Sequence, residues 1–184
     1  MAALEPEHMQ LIVKAAAGEY TVSRRMMLDI ELERGGEIIY RDKALNDVVL
    51  HGYGDCIRLT AWCAGDRITS FSGDGIILST PTGSTGYSMS AGGPIVEPEA
   101  SAIIVSPICA HMMSARSYVL SASHDVSVLA EKLHGRRAYI SVDGNSVMDL
   151  TNGDLLRVRR SERCILMADM GLKSFFDLAF EKLT

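Results

Sequence analysis

The sequence predicts a mainly β, layered β-sandwich-like domain with a short helix at either end. Three observations carry this expectation. Residues 26–33 alternate apolar and polar with a period of two, and short apolar runs punctuated by Gly, Asp, Asn and Pro follow through most of the chain. No strand-like run leads into a long amphipathic helix carrying Gly-x-Gly-x-x-Gly, which removes a doubly wound dinucleotide fold.

Residues 1–18 read as a leading helix. Pro6 suits an early helical position, Leu11, Ile12 and Ala15 share a face, and Gly18 can close the helix in a left-handed turn. A half-buried strand follows, with Met26, Leu28, Ile30 and Leu32 on one face and Met27, Asp29, Glu31 and Glu33 on the other. Arg34-Gly35-Gly36-Glu37 reads as a hairpin turn. Further strands are expected at 37–42, 47–51, 57–63, 67–71, 76–79 and 102–106, then at 117–120, 126–130, 138–142, 155–159 and 165–168. Residues 172–184 close the chain as a helix. Its Leu172, Phe175, Phe176, Ala179, Phe180 and Leu183 form an apolar stripe suited to docking. With no repeat or linker, residues 1–184 are expected to form a single domain.

The 184 residues include 18 basic and 23 acidic side chains, for a net charge of −5. That balance argues against nucleic acid or an anionic membrane as the main partner, since both reward clustered Lys and Arg. The uncharged stretch 75–96 contains five glycines and two prolines, which disqualify it as a membrane span. MAALEPEHMQ lacks a basic segment followed by an apolar run, so no secretory signal is expected and the cytoplasm is the expected location. Cys56, Cys63, Cys109 and Cys164 show no Cys-x-x-Cys spacing and are expected as free thiols.

Three segments carry the unusual chemistry. The first runs from Phe71-Ser72-Gly73-Asp74-Gly75 through Ser79-Thr80-Pro81-Thr82-Gly83-Ser84-Thr85-Gly86-Tyr87-Ser88 to Ser90-Ala91-Gly92-Gly93-Pro94. Glycines flanking Asp74 leave its carboxylate accessible. The hydroxyl-rich run offers bare amides and Oγ atoms to a polar ligand, with a helix expected from about Ser84. The second is Asn46-Asp47 at the mouth of a strand, where an amide and a carboxylate can present adjacent donors and acceptors; a plain turn is the competing reading. The third, Val142-Asp143-Gly144-Asn145, reads on its own as an Asp-Gly hairpin turn. His111 and Arg116 have no paired nucleophile, and His8, His51, His124 and His134 lack metal-ligand spacing.

Taken in order, Ala44-Leu45-Asn46-Asp47, Gly73-Asp74-Gly75, the Thr-Pro-Thr-Gly-Ser-Thr block, Ser-Ala-Gly-Gly-Pro-Ile and Asp143-Gly144 closely resemble the NAD kinase family. The resemblance runs from about Pro6 to the closing helix. It implies the C-terminal, NAD-binding domain of an enzyme that phosphorylates the adenosine 2′-hydroxyl of NAD to give NADP. The phosphate would come from ATP or polyphosphate, with Mg2+ or another divalent metal assisting. It further implies a partner N-terminal domain and assembly as a homodimer or homotetramer.

By the same resemblance, Asn46 and Asp47 hold the adenosine half of NAD and Asp74 contacts the nicotinamide half. Thr85, Gly86, Tyr87 and Ser90 line the pocket, and Asp143 and Asn145 stand nearby as supporting polar groups. Several positions depart from the family pattern: Gly86 replaces a usual Ala, Ala110 a frequent Pro, Asn145 a frequent Gln, and Ser72 a residue often basic. The chain contains no Gly-Gly-Asp-Gly-Thr, the segment that supplies the family's proposed catalytic base, so no catalytic residue is expected within it and the chain alone is expected to be inactive. Two other readings stand beside this one: a non-catalytic nucleotide-binding or assembly module, and a relative of the lipid kinases.

Overall fold

A computed structural model describes residues 8–112 and 115–183; Pro6 and the rest of 1–7 lie outside it. Two six-stranded antiparallel sheets face each other. One has the order β2-β1-β12-β9-β4-β5 and the other β11-β10-β3-β6-β7-β8. The strands are β1 (Thr21–Arg34), β2 (Glu37–Ala44), β3 (Asp47–Gly52), β4 (Ile57–Cys63), β5 (Asp66–Gly73), β6 (Gly75–Ser79), β7 (Ala102–Ile108), β8 (Tyr118–Ser121), β9 (Val126–Glu131), β10 (Ala138–Val142), β11 (Asn145–Leu150) and β12 (Leu155–Asp169). Helices α1 (Leu11–Ala16), α2 (Tyr87–Ser90) and α3 (Phe175–Leu183) complete the described elements. The mainly β sandwich with short terminal helices is therefore the observed fold.

Strand β1 shows the expected alternation, burying Met26, Leu28, Ile30 and Leu32. Its outward carboxylates meet cations on both neighbours: Arg41 reaches Glu31 at 2.9 Å, Arg157 reaches Glu33 at 3.0 Å, and Lys43 pairs with Asp29. The hairpin after β1 turns through Gly35 and Gly36 at φ 60° and 87°, the left-handed pair that a two-residue turn between twisted strands requires.

The structure departs from the sequence expectations at three places. The runs at 155–159 and 165–168 are one strand, β12, paired along the length of β1 from Thr21↔Asp169 to Glu33↔Leu155. Polar Ser161-Glu162-Arg163 interrupts the apolar pattern at a register shift, while the ladder resumes beyond it. Strand β11 is not anticipated from the sequence because it is an edge strand whose exposed Asn145, Ser146 and Asp149 leave only the pair Val147-Met148 and Leu150 as an apolar signal. The helix expected from Ser84 is a 3₁₀ turn, Gly83–Thr85, followed by the single turn of α2.

The core lies between the sheets, built from Leu28, Ile30, Leu59 and Phe71 on one side and Leu50, Ile76, Ile103 and Ile140 on the other. A second, smaller cluster of Val49, Ile77 and Ile108, with Ala91 against it, lies apart from this core. Strands β6 and β7 are buried at every position, so they show no alternation. The apolar stripe on α3 lies largely open, with Phe176 66% and Phe180 72% exposed, and Leu172, which precedes the helix, is 50% exposed. Leu11 is the one buried residue of α1, whose Ile12 and Val13 are exposed.

Phe71 is fully buried, and its truncation to Ala is expected to cost about 3–5 kcal/mol in denaturant unfolding. Ile38→Ala, on the exposed face of edge strand β2, is expected to stay within about 0.5 kcal/mol of wild type.

Candidate functional site

The three sequence segments converge on the second sheet. Asp47 opens β3 opposite Ser79, and His51, next to the last residue of the strand, lies opposite Gly75, which in turn faces Ile108 on β7. Along this strand Asp47, Val49 and His51 point to the same side. Asn46, Asp47, Asp143 and the Thr80–Thr85 turn gather at one end of the strand. Asp74, His51 and Cys109 line a cavity of about 540 Å³ at the other, with Tyr87, Ser90 and Ala91 of the α2 region above them. The four-residue step from Asp47 to His51 separates the two ends by about 13 Å.

Backbone contacts build the first end. Thr80 donates its N–H to the Asn46 carbonyl at 2.8 Å and its hydroxyl to the Leu45 carbonyl at 2.6 Å. The Asp143 carboxylate accepts N–H bonds from Leu45, Asn46 and Asp47 at 2.8, 2.7 and 3.0 Å. Gly83 packs so close that a Cβ there would sit 2.2 Å from the Asn46 carbonyl oxygen. Ser84 Oγ donates to the Pro81 carbonyl at 2.7 Å and accepts from Val96 N–H at 3.0 Å, tying the start of the turn to its exit.

The Ser-Ala-Gly-Gly-Pro segment is explained by packing as well. Ser88 and Ser106 share a buried hydrogen bond of 2.9 Å, and a Cβ on Gly93 would lie 2.4 Å from one hydroxyl and 2.6 Å from the other. At Gly86 a Cβ would meet the Gly83 carbonyl oxygen at a tight 3.3 Å, and the backbone there, at φ −100° and ψ −126°, suits glycine better than alanine. Two buried hydroxyl oxygens, Ser79 Oγ and Thr82 Oγ1, have no hydrogen-bond partner among the described residues. A buried, unpaired hydroxyl costs free energy that a polar ligand can recover.

Electrostatics distinguish the carboxylates. Asp47 is only 8% exposed, and burial, reinforced by the neighbouring Asp143 charge, pushes its pKa up to about 6. Asp74, by contrast, is exposed. Its hydrogen bond and charge push the Cys109 thiol pKa up, with burial adding to the effect. Burial lowers the His51 pKa, against the opposing pull of Asp74, and favours the neutral ring. Tyr87 feels both Asp74 and Asp47, and burial first, then these charges among others, raises its pKa.

Sequence reasoning did not single out His51 as part of the site. It stacks between Tyr87 and Tyr139 at centroid distances of 5.4 and 5.3 Å, and Tyr139 continues to Tyr53 at 4.5 Å beneath the Arg137 guanidinium. The available signal was its i+4 position from Asp47 on the same side of β3. Thr85, Gly86 and Asn145 take part in no side-chain hydrogen bond that builds the site; Thr85 is half-buried and the other two are exposed. All four cysteines are free thiols, and among the described residues no three His, Cys, Asp or Glu side chains are grouped to hold a metal ion. Among the described residues no helix is long and apolar enough to cross a membrane.

The raised Asp47 pKa fixes the sign of a stability effect. The folded state binds this proton up to about pH 6 and the unfolded chain only to 3.8, so this group's contribution falls as pH rises between those values. Asp47→Asn is therefore expected to stabilise the protein at pH 8 by about 1–2 kcal/mol and to leave stability little changed at pH 4. Thermal unfolding at the two pH values checks this, and equal effects at both would contradict it. Gly83→Ala is expected to destabilise by about 3 kcal/mol or more, because the atom it must displace is backbone.

Residues 23–169 match the ATP-NAD kinase C-terminal domain. The NAD kinase of Geobacter metallireducens is 38% identical over 169 residues, covering 90% of this chain and 59% of that protein. The NAD kinase of Acetivibrio thermocellus is 38% identical over 162 residues, covering 87% and 56%. This chain thus spans a little under three fifths of the length of these curated relatives. Among solved structures, yeast NADH kinase complexed with NADH superposes with a TM-score of 0.86 at 29% identity, over 96% of this chain and 52% of that one. An NAD kinase from Archaeoglobus fulgidus in complex with ATP gives 0.76 at 27% identity, over 97% and 67%. A domain match across most of the sandwich, on a chain whose Asn-Asp and Thr-Pro-Thr-Gly-Ser-Thr segments meet in space, establishes that this chain belongs to the NAD kinase family.

Proposed function

We propose that this chain is the NAD-binding half of an enzyme that transfers a phosphoryl group to the adenosine 2′-hydroxyl of NAD. The observation that carries this reading is the pinned Asn46-Asp47 loop beside two orphan buried hydroxyls, Ser79 at the end of β6 and Thr82 in the turn that follows, about 13 Å along β3 from the Asp74 cavity. That spacing suits a dinucleotide, whose two sugar-base halves are joined by a pyrophosphate. In this reading the Asp47 carboxylate accepts bonds from ribose hydroxyls and Asn46 engages the adenosine. Asp74 meets the nicotinamide amide, with Thr85, Gly86, Tyr87 and Ser90 lining the path between and Asn145 standing nearby. Hydroxyls and amides hold the pyrophosphate in place of a basic cradle.

The phosphoryl donor, ATP or polyphosphate, and its Mg2+ belong to the proposal for the longer enzyme. This chain's described residues present no three-ligand cage for a metal, so the ion would be held largely by the donor's phosphates. A second domain of that enzyme is supported by apolar side chains left open on α1, β12 and α3, where Ile12, Val13, Leu166, Phe176 and Phe180 are 49–73% exposed. The proposal includes assembly as a homodimer or homotetramer in the cytoplasm. The chain by itself binds NAD without producing NADP.

Calorimetric titration of this chain with NAD, paired with an NADP-formation assay on the chain and on a longer relative, tests the proposal. Asp47→Ala is expected to weaken NAD binding at least tenfold. Because the ionised carboxylate accepts hydroxyl bonds at both oxygens and more strongly than the protonated acid, wild-type affinity is expected to rise between pH 5 and pH 7. A pH-independent affinity unaffected by Asp47→Ala would overturn the assignment, and NADP formation by the chain alone would overturn its role as a binding half.

A further inference from the structure

We propose that Asp143 is a positioning residue that acts through the backbone of residues 45–47, holding the Asn46 and Asp47 side chains toward the ligand without touching it. This rests on the reading of that pocket as the dinucleotide site. The support is a full account of six backbone groups. The N–H groups of Leu45, Asn46 and Asp47 all donate to the Asp143 carboxylate, at 2.8, 2.7 and 3.0 Å. The Asp47 carbonyl accepts the Asp143 N–H at 2.9 Å. The two remaining carbonyls, of Leu45 and Asn46, accept from Thr80. Two residues thus fix every polar backbone group of the loop, leaving its side chains as the groups free to meet a ligand.

Local geometry explains why an aspartate stands there. Asp143 and Gly144 form the two-residue turn between β10 and β11, with φ 46° and 80°. Aspartate tolerates the left-handed region better than most side chains. Register does the rest: Val142 pairs with Val48, which sets Asp143 beside Asp47 and lets a short side chain span three successive amides. A carboxylate offers about four acceptor sites, and three are filled here, so little capacity is left for ligand hydroxyls. Asparagine would keep one accepting oxygen but turn an N–H2 group toward the amides. Glycine would keep the turn and remove the acceptor altogether.

Asp143→Gly and Asp143→Asn separate this role from direct contact. In the ligand-free protein, amide hydrogen exchange at residues 45–47 is expected to quicken about tenfold or more in Asp143→Gly and less in Asp143→Asn. The dissociation constant for NAD is expected to follow the same order, rising about tenfold in the glycine variant with partial rescue by asparagine. Carbon NMR titration of the Asp47 carboxyl is expected to move toward the ordinary range in both variants, because each removes the adjoining charge. Equal affinity losses with unchanged exchange at 45–47 would mean that Asp143 contacts the ligand itself, and would overturn the proposal. Faster exchange with unchanged affinity would overturn it as well. Should the glycine variant fail to fold, the asparagine variant carries the same comparison. A wild-type chain that does not bind NAD sinks the reading of the pocket, while exchange in the ligand-free variants still decides whether Asp143 holds the loop.

Discussion

Burial of β3, β6 and β7 on both faces is the constraint on which the rest of the molecule depends. One face of these strands completes the core with Leu50, Ile76 and Ile103. The other carries Val49, Ile77 and Ile108, against which Ala91 beside α2 packs. The segment from Thr80 to Val96 is therefore a lid on the second face of a sheet as much as a loop. Its small residues are dictated by that duty. Gly83 lies against the Asn46 carbonyl and Gly93 against the Ser88–Ser106 pair, where no side chain fits. Hydroxyls and structural glycines alternate in this stretch because one backbone both covers the sheet and borders the cavity.

The electrostatic design is economical in cations. Two carboxylates, Asp47 and Asp143, stand side by side, and the stabilisation of Asp143 comes from three backbone amides. Backbone amides stabilise that carboxylate by hydrogen bonds alone, without the positive charge an arginine would bring. The remaining acid is left buried with its proton held to about pH 6, an arrangement that costs folding free energy and keeps an acceptor at the mouth of the strand. On the opposite sheet Arg41 and Arg157 join Glu31 and Glu33 in solvent-facing ion pairs of small energetic weight.

Much of this was legible in the amino-acid order. The alternation of Met26 to Leu32, the Gly35-Gly36 turn and the 57–63 and 138–142 runs map onto observed elements because each has a strong local cause, a half-buried face or a left-handed turn. Asn46, Asp47, Asp143 and the Thr80–Thr85 turn are brought together by the register of β3 with β6 and β10, which no local pattern encodes. What escaped was non-local or weakly apolar. Strand β11 buries too little to show an apolar run, β12 continues through polar 161–163 on the strength of its ladder with β1, and His51 earns its place by stacking on tyrosines from α2 and β10. The exposed face of α3 shows the reverse case, an apolar stripe plain in sequence that the sandwich itself does not cover.

The long ladder between β1 and β12 has a consequence for how the molecule is made. It joins the first strand to the last, from Thr21↔Asp169 inward, and places both within one sheet. Every strand of the other sheet lies between residues 47 and 150, so that sheet, with Asp47 and Asp143 on it, can assemble while the chain is still emerging from the ribosome. The β1 edge must wait for the β12 residues from Leu155 onward, and its ladder is complete only once Asp169 is free. Closing so large a loop is entropically slow and belongs with β-rich domains that fold in milliseconds to seconds. During that wait the apolar residues Leu28, Ile30 and Leu32 have no partner strand on that side, which marks nascent β1 as the segment that a chaperone would grip.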